Sequence, residues 1–144
     1  MTLQFRNVDA SPTDPVITWP YEALVIAIER GLVPDWQPIF QEIRQHPWGS
    51  VSRKIDKYLA YAPPGGIPTF FALAVESARN NRELAEKNEV AARVRQAIAS
   101  SGFTASEFAE HIGTSASRLS TYATGSVTPS ATMLLRIESV GQRQ

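Results

Sequence analysis

The sequence predicts an all-α protein: an N-terminal helical unit, a long polar helix and a C-terminal four-helix unit. Apolar residues recur every three or four positions between prolines and glycines, which is the period of an amphipathic helix. The run from Thr69 to Ser101 contains no proline or glycine and consists mostly of good helix formers. All three tryptophans lie in the first 71 positions with most of the other aromatic residues, which indicates two separate units.

The first 18 residues contain two prolines and little periodicity, so we expect an extended arm with room for a short strand at Leu3–Val8. Three helices follow, and prolines or glycines mark their limits. They run from Pro20 to Arg30, from an Asp35 N-cap to about His46, and from Trp48 or Ser50 to Tyr61. The side chains expected to face the core are Leu24, Val25, Ile28, Leu32, Trp36, Ile39, Phe40, Ile43, Val51, Ile55, Tyr58 and Leu59.

Three prolines and two glycines in residues 62–68 predict a turn rather than regular structure. The run that follows predicts one long helix, or two helices with a break near Asn80–Asn81 or Asn88. Residues 79–89 are almost all polar, so we expect them to form a solvated helical linker. The segment 19–78 before this linker is then a helical unit of its own.

Two short helices joined by a glycine turn are predicted after the linker. Thr104 and Glu107 have the spacing of a capping box, in which each side chain accepts a hydrogen bond from the backbone of the other residue. Gly113 stands where the first helix ends, because glycine adopts positive φ at no steric cost. Ser115 is a good N-cap for the second helix, and Gly125 ends it.

A further helix is predicted to follow, with Thr128 as its N-cap and Pro129 at its first position. The preceding pair of helices makes a helix-turn-helix candidate. In that motif the second helix enters the major groove of DNA by its N-terminal residues.

This segment resembles the Cro and phage-repressor (XRE) family from about Val90 to Val140. The positions that agree in register are Gly102, Phe103, Thr104, Phe108, Ala109, Gly113, Ser115, Leu119, Tyr122, Gly125 and Pro129. The resemblance implies a repressor-like helix-turn-helix domain at residues 90–144. It also implies a bacterial or phage transcription regulator, a repressor that binds a two-fold double-stranded DNA operator as a homodimer.

Two positions depart from the family pattern. Ala105 stands where the family often has a glutamine that braces the motif and touches a phosphate, and Ala123 stands where a glutamate is frequent. These departures concern the contacts to phosphate more than the fold.

Small polar side chains and one arginine at the start of the second helix are the predicted DNA contacts. The full set of candidates is Thr104, Ser115, Ala116, Ser117, Arg118, Ser120 and Thr121. Arg118 is the only one of these able to pair bidentately with guanine, and the resemblance places Ala116, Ser117 and Thr121 at base-facing positions. The alternative is that all of them are ordinary solvent-exposed helix residues. Arg93, Arg95 and Arg136 are either phosphate contacts or solvated charges.

The composition limits the function classes. The net charge is zero, so DNA binding would depend on specific contacts, backbone N–H groups and dimerisation more than on a large electrostatic attraction. No apolar run approaches the roughly 20 residues of a membrane span, and no signal pattern is present, so we expect a cytoplasmic protein without a membrane partner. The chain has no cysteine and no motif for catalysis, a metal or a cofactor, so we expect none of these and no enzyme activity.

Two alternatives to a simple regulator stay open, and both concern the N-terminal unit, which we expect to dimerise the protein or bind a partner. In the first, the protein is antitoxin-like: residues 16–61 neutralise a partner toxin, and the helix-turn-helix autoregulates the operon. In the second, it is an interaction scaffold whose motif has lost DNA binding, which Ala105 and the neutral charge favour.

Overall fold

The computed structural model describes residues 3–142, and every regular element within that range is helical. A 3-10 helix at Val16–Thr18 precedes seven α-helices. These are α1 (Tyr21–Arg30), α2 (Val33–Gln45), α3 (Ser50–Tyr61), α4 (Gly66–Ser101), α5 (Ala105–Ile112), α6 (Ala116–Thr124) and α7 (Ala131–Gly141). The all-α prediction is confirmed. Within the described range, no helix combines the length and the hydropathy that a membrane crossing requires.

The chain divides at Arg82 and Glu83 into two compact units. The N-terminal unit is built on one buried core, to which α1, α2, α3 and the start of α4 contribute. Trp19 lies in this core with 2% of its surface exposed. Its indole N–H donates to the Asp14 carbonyl at 3.0 Å, and the Phe5 ring meets it edge-on with 5.0 Å between centroids.

The segment before α1 packs against this core instead of extending as an arm. Leu3, Phe5 and Val8 are partly buried against it, and the backbone forms bends and a turn before the 3-10 helix. The strand predicted at Leu3–Val8 is therefore wrong. Its apolar side chains are buried by the helices, which removes the need for a partner strand. The first two residues of the predicted arm lie outside the described residues.

Helix α2 begins earlier than predicted. Its N-cap is Leu32, and Asp35 lies in the first turn rather than at the cap. The Asp35 carboxylate accepts a hydrogen bond from the Leu32 N–H at 2.7 Å, which satisfies one of the backbone donors before the helix. As a result Leu32 is turned to solvent, with 63% of its surface exposed, and its predicted core position is wrong.

Helix α4 is one uninterrupted helix of 36 residues. It begins at Gly66, inside the segment predicted to be a turn. Pro68 is compatible with this start because it lies in the first turn, where the backbone N–H groups have no partner within the helix and a missing N–H costs nothing. Phe71 and Val75 are buried in the N-terminal unit, whereas residues 80–89 are all exposed. The asparagines at 80, 81 and 88 do not break the helix.

The C-terminal unit comprises α4 from Glu83 onwards together with α5, α6 and α7. Its buried core includes Val94, Phe108, Ile112, Leu119, Tyr122 and Ile137. Helix α7 begins two residues later than predicted. Ser130 is its N-cap and accepts from the Met133 N–H at 3.1 Å, whereas Pro129 lies before the cap and is buried. The assignment of Thr128 and Pro129 as N-cap and first position is therefore wrong.

Candidate nucleic-acid interface

Helix α5 is fixed at both ends by local hydrogen bonds. Thr104 Oγ1 accepts from the Glu107 N–H at 3.2 Å, and Glu107 Oε1 accepts from the Thr104 N–H at 3.3 Å, as the capping-box spacing predicted. At the other end Gly113 adopts φ 78°, and the Thr114 N–H donates to the Ala109 carbonyl at 3.0 Å. This closure satisfies carbonyls that would otherwise lack partners and turns the chain sharply into α6.

Helix α6 starts from Ser115, whose Oγ accepts from the Arg118 N–H at 3.1 Å. Leu119 and Tyr122 bury one face of the helix in the C-terminal core. Gly125 ends the helix with φ 84°, the left-handed conformation that glycine adopts without strain. Because one face of α6 is buried and both of its ends are fixed, its opposite face is held in a defined orientation.

The start of α6 is open to solvent. Residues 115–118 and Ser120 are exposed, and Thr121 is half-buried. Two short helices joined by a glycine turn, with the second exposing its N-terminal half, are the geometry in which a helix reaches into a major groove.

A family model described as a helix-turn-helix, of the Cro/C1 type, matches residues 94–142. The C-terminal unit carries an XRE-type helix-turn-helix. This match runs from the last turns of α4 through α7 and leaves the N-terminal unit outside it. No curated protein and no solved structure matches the chain.

The match supports the function of a DNA-binding transcription regulator, because the matched family is a DNA-binding regulatory domain and not a family of enzymes. Six of the seven residues predicted to contact DNA lie together on α6 or at its cap, and Thr104 lies at the cap of α5. Their contact with DNA stays a prediction. What the structure adds is the hydrogen-bonding state of each side chain.

The hydroxyl groups on α6 differ in what they can offer a ligand. Thr121 Oγ1 donates to the Arg118 carbonyl at 2.6 Å, so its proton is used inside the helix and it presents a methyl group and an acceptor. Ser117 and Ser120 form no side-chain hydrogen bond with the described part of the chain, so each can both donate and accept. The Ala116 methyl group is exposed beside them.

Arg118 has a protein partner that the sequence reasoning missed. Its Nε donates to the Tyr122 hydroxyl at 3.1 Å. Tyr122 was predicted only as a core residue, although its i,i+4 spacing from Arg118 places both on neighbouring turns of one helix face. That spacing is the signal that could have shown the pair.

Three other arginines of the C-terminal unit form contacts within the protein. Arg95 donates to the Ala123 carbonyl at 2.6 Å and Arg136 to the Ile112 carbonyl at 3.2 Å, which places a guanidinium against the C-terminal end of α6 and of α5 respectively. Arg93 pairs with Glu89 at 3.4 Å. All three residues nevertheless remain exposed, so phosphate contact and solvated charge both stay predictions for them.

Proposed function

We propose that the protein is a sequence-specific DNA-binding repressor that acts as a dimer on a two-fold operator. The observation that carries this proposal is the exposed, polar N-terminal half of α6, held in a fixed orientation by the capped and glycine-closed ends of α5 and α6. The proposed contacts are Thr104, Ser115, Ala116, Ser117, Arg118, Ser120 and Thr121.

The contacts divide by chemistry. Arg118 supplies the only full positive charge among them and pairs with a guanine edge or a phosphate. Ser117 and Ser120 have unengaged hydroxyl groups suited to phosphate or base edges, and the Ala116 methyl suits a thymine methyl. With a net charge of zero, the protein should neutralise few phosphates, so its affinity should fall only gently as salt rises.

The N-terminal unit is proposed to supply the dimer contact or a partner surface. We assign residues 3–18 to a segment packed on that unit, 19–78 to the unit itself, 79–89 to a helical linker and 90–144 to the DNA-reading domain. An operator with two-fold symmetry presents two half-sites about one DNA turn apart, so two copies of α6 are required to read it.

The test is fluorescence anisotropy with a labelled duplex from upstream of the protein's own gene, titrated in increasing salt and against unlabelled DNA. A scrambled duplex of the same composition is the control. We expect tight binding that survives nonspecific competitor, with two protein chains per duplex. Equal affinity for the operator duplex and the scrambled duplex would contradict sequence-specific recognition.

A second function is favoured by the surface of the N-terminal unit. Five large apolar side chains between residues 16 and 61 are exposed and available to a protein partner. They are Ile17, Leu32, Val33, Trp48 and Tyr61. This supports an antitoxin-like role in which residues 16–61 bind a toxin while the XRE domain autoregulates the operon. This role would be established if a neighbouring gene encoded a toxin that co-purifies with the protein. If co-expression of the protein did not relieve the growth arrest caused by that toxin, the result would count against the role.

A further inference from the structure

We propose that Tyr122 is a positioning residue that orients Arg118 for its DNA contact. The proposal rests on the proposed function, which it deepens by assigning how the one charged side chain of α6 is presented. The contact involved is the hydrogen bond from Arg118 Nε to the Tyr122 hydroxyl, at 3.1 Å.

The two side chains differ in burial, and this difference makes one a support for the other. Tyr122 has 5% of its surface exposed, and its ring is part of the C-terminal core, so the phenol oxygen is held at a fixed point. Arg118 is exposed and has four side-chain torsions to order. A hydrogen bond from its Nε to a fixed acceptor restricts those torsions before any ligand arrives.

The nitrogen that Tyr122 engages also determines which part of the guanidinium stays available. With Nε occupied, the two terminal nitrogens remain, and they have no hydrogen bond to the described part of the chain. Two parallel N–H groups at the end of a guanidinium match a pair of acceptors, such as O6 and N7 of guanine or two oxygens of one phosphate. The geometry thus leaves the bidentate end of Arg118 free for DNA.

Preorganisation of this kind lowers the entropy cost of binding. Immobilising one long side chain in an interface weakens binding by an amount that corresponds to about threefold to tenfold in Kd. Because the Tyr122 hydroxyl removes part of that cost in advance, its loss should weaken operator binding by about the same factor.

The test is Tyr122→Phe in the full-length chain, which keeps the ring in the core and removes only the hydroxyl. We expect operator binding to weaken about threefold to tenfold, with an unchanged thermal midpoint. In an Arg118→Ala background, Tyr122→Phe should have no further effect, because the group that it orients is gone. An equal effect in both backgrounds, or no effect in the wild-type background, would overturn the positioning role.

A second variant keeps the test independent of any change in packing. Arg118→Lys retains the charge but has neither an Nε donor nor a bidentate end, so adding Tyr122→Phe to it should change the affinity little. Single base-pair changes in the duplex identify the acceptor. A guanine contact is lost when one particular base pair is changed, whereas loss of a phosphate contact in Arg118→Ala lowers the magnitude of the salt slope by about one without altering base preference.

The Arg118 Nε–H resonance of the free protein, followed by nitrogen-15 NMR, separates this proposal from the proposed function. We expect an ordered Nε–H in the wild type that becomes mobile in Tyr122→Phe. A mobile Nε–H in a wild-type protein that binds its operator would overturn the positioning role alone. An ordered Nε–H without sequence-specific duplex binding would overturn the proposed function, and the positioning role with it.

Discussion

At Gly141, α7 packs directly against the backbone of α4. A Cβ added there would stand 2.7 Å from the Cα of Ala97 and 2.9 Å from its carbonyl oxygen, and backbone atoms cannot give way as a flexible side chain can. We therefore expect Gly141→Ala to lower the free energy of unfolding of the C-terminal unit by about 1–3 kcal/mol. Chemical denaturation followed by circular dichroism measures this.

Gly66→Ala is the matched control for that substitution, because nothing lies within 4 Å of a Cβ added at Gly66. Gly66→Ala also replaces glycine by alanine, here at the start of α4, and it should leave the free energy of unfolding unchanged or slightly raised. Equal denaturation midpoints for Gly141→Ala and Gly66→Ala would show that α7 moves away from α4 at no cost.

Thr104 has both a capping role and a proposed DNA contact, and these can be separated. Thr104→Ala removes the acceptor for the Glu107 N–H, so we expect a loss of about 1 kcal/mol of stability. Ser106→Ala, at an exposed position of the same helix, is the control and should be close to neutral. If Thr104→Ala also weakens operator binding where both variants are fully folded, Thr104 contacts DNA; unchanged affinity would limit it to the cap.

The elements of the XRE domain were predicted best because their signals are local. The Thr104–Glu107 pair, Gly113, Ser115 and Gly125 each determine backbone conformation within a few residues, and the structure places each of them as the sequence indicated. Where a prediction from sequence was wrong, a second local conformation was compatible with the same residues. Pro68 was compatible with a helix start, and Ser130 replaced Thr128 as a cap.

The contacts of the candidate interface were less predictable from sequence, because they depend on which groups tertiary packing brings together. Arg95 lies 28 positions from Ala123, and Arg136 lies 24 positions from Ile112, so no local pattern indicates these carbonyl contacts. The hydrogen bond from Arg118 to Tyr122 depends on burial of the tyrosine, which fixes its hydroxyl close to the helix surface.

Helix α4 should be unequally stable along its length. Residues 83–89 are exposed and gain little from packing, whereas Phe71 and Val94 are each fully buried in a core. Helices depend mainly on tertiary packing for their stability, so the exposed stretch should open locally at low cost. We expect hydrogen–deuterium exchange to be faster at 83–88 than around Phe71 and Val94. Uniform protection along α4 would show that the stretch is covered in solution, for example by a second chain.

The two cores of the molecule share no buried residue, so each should respond to its own cavity mutation. Phe71 belongs to the N-terminal core and Phe108 to the C-terminal one, and both are fully buried. Truncating either to alanine should cost about 3–5 kcal/mol. In calorimetry we expect Phe71→Ala and Phe108→Ala to lower different unfolding transitions, with operator affinity lost first in Phe108→Ala. One transition lowered equally by both would indicate that α4 makes the molecule a single cooperative unit.

The uneven placement of aromatic residues has an optical consequence. Trp19, Trp36 and Trp48 all belong to the N-terminal unit, and Tyr122 is the one tyrosine after Arg82. Light at the red edge of the ultraviolet absorption band excites indole alone, so emission from the native chain reports the N-terminal unit without any attached dye. The N-terminal unit, which the helix-turn-helix family model leaves unmatched, therefore carries its own fluorescent reporter.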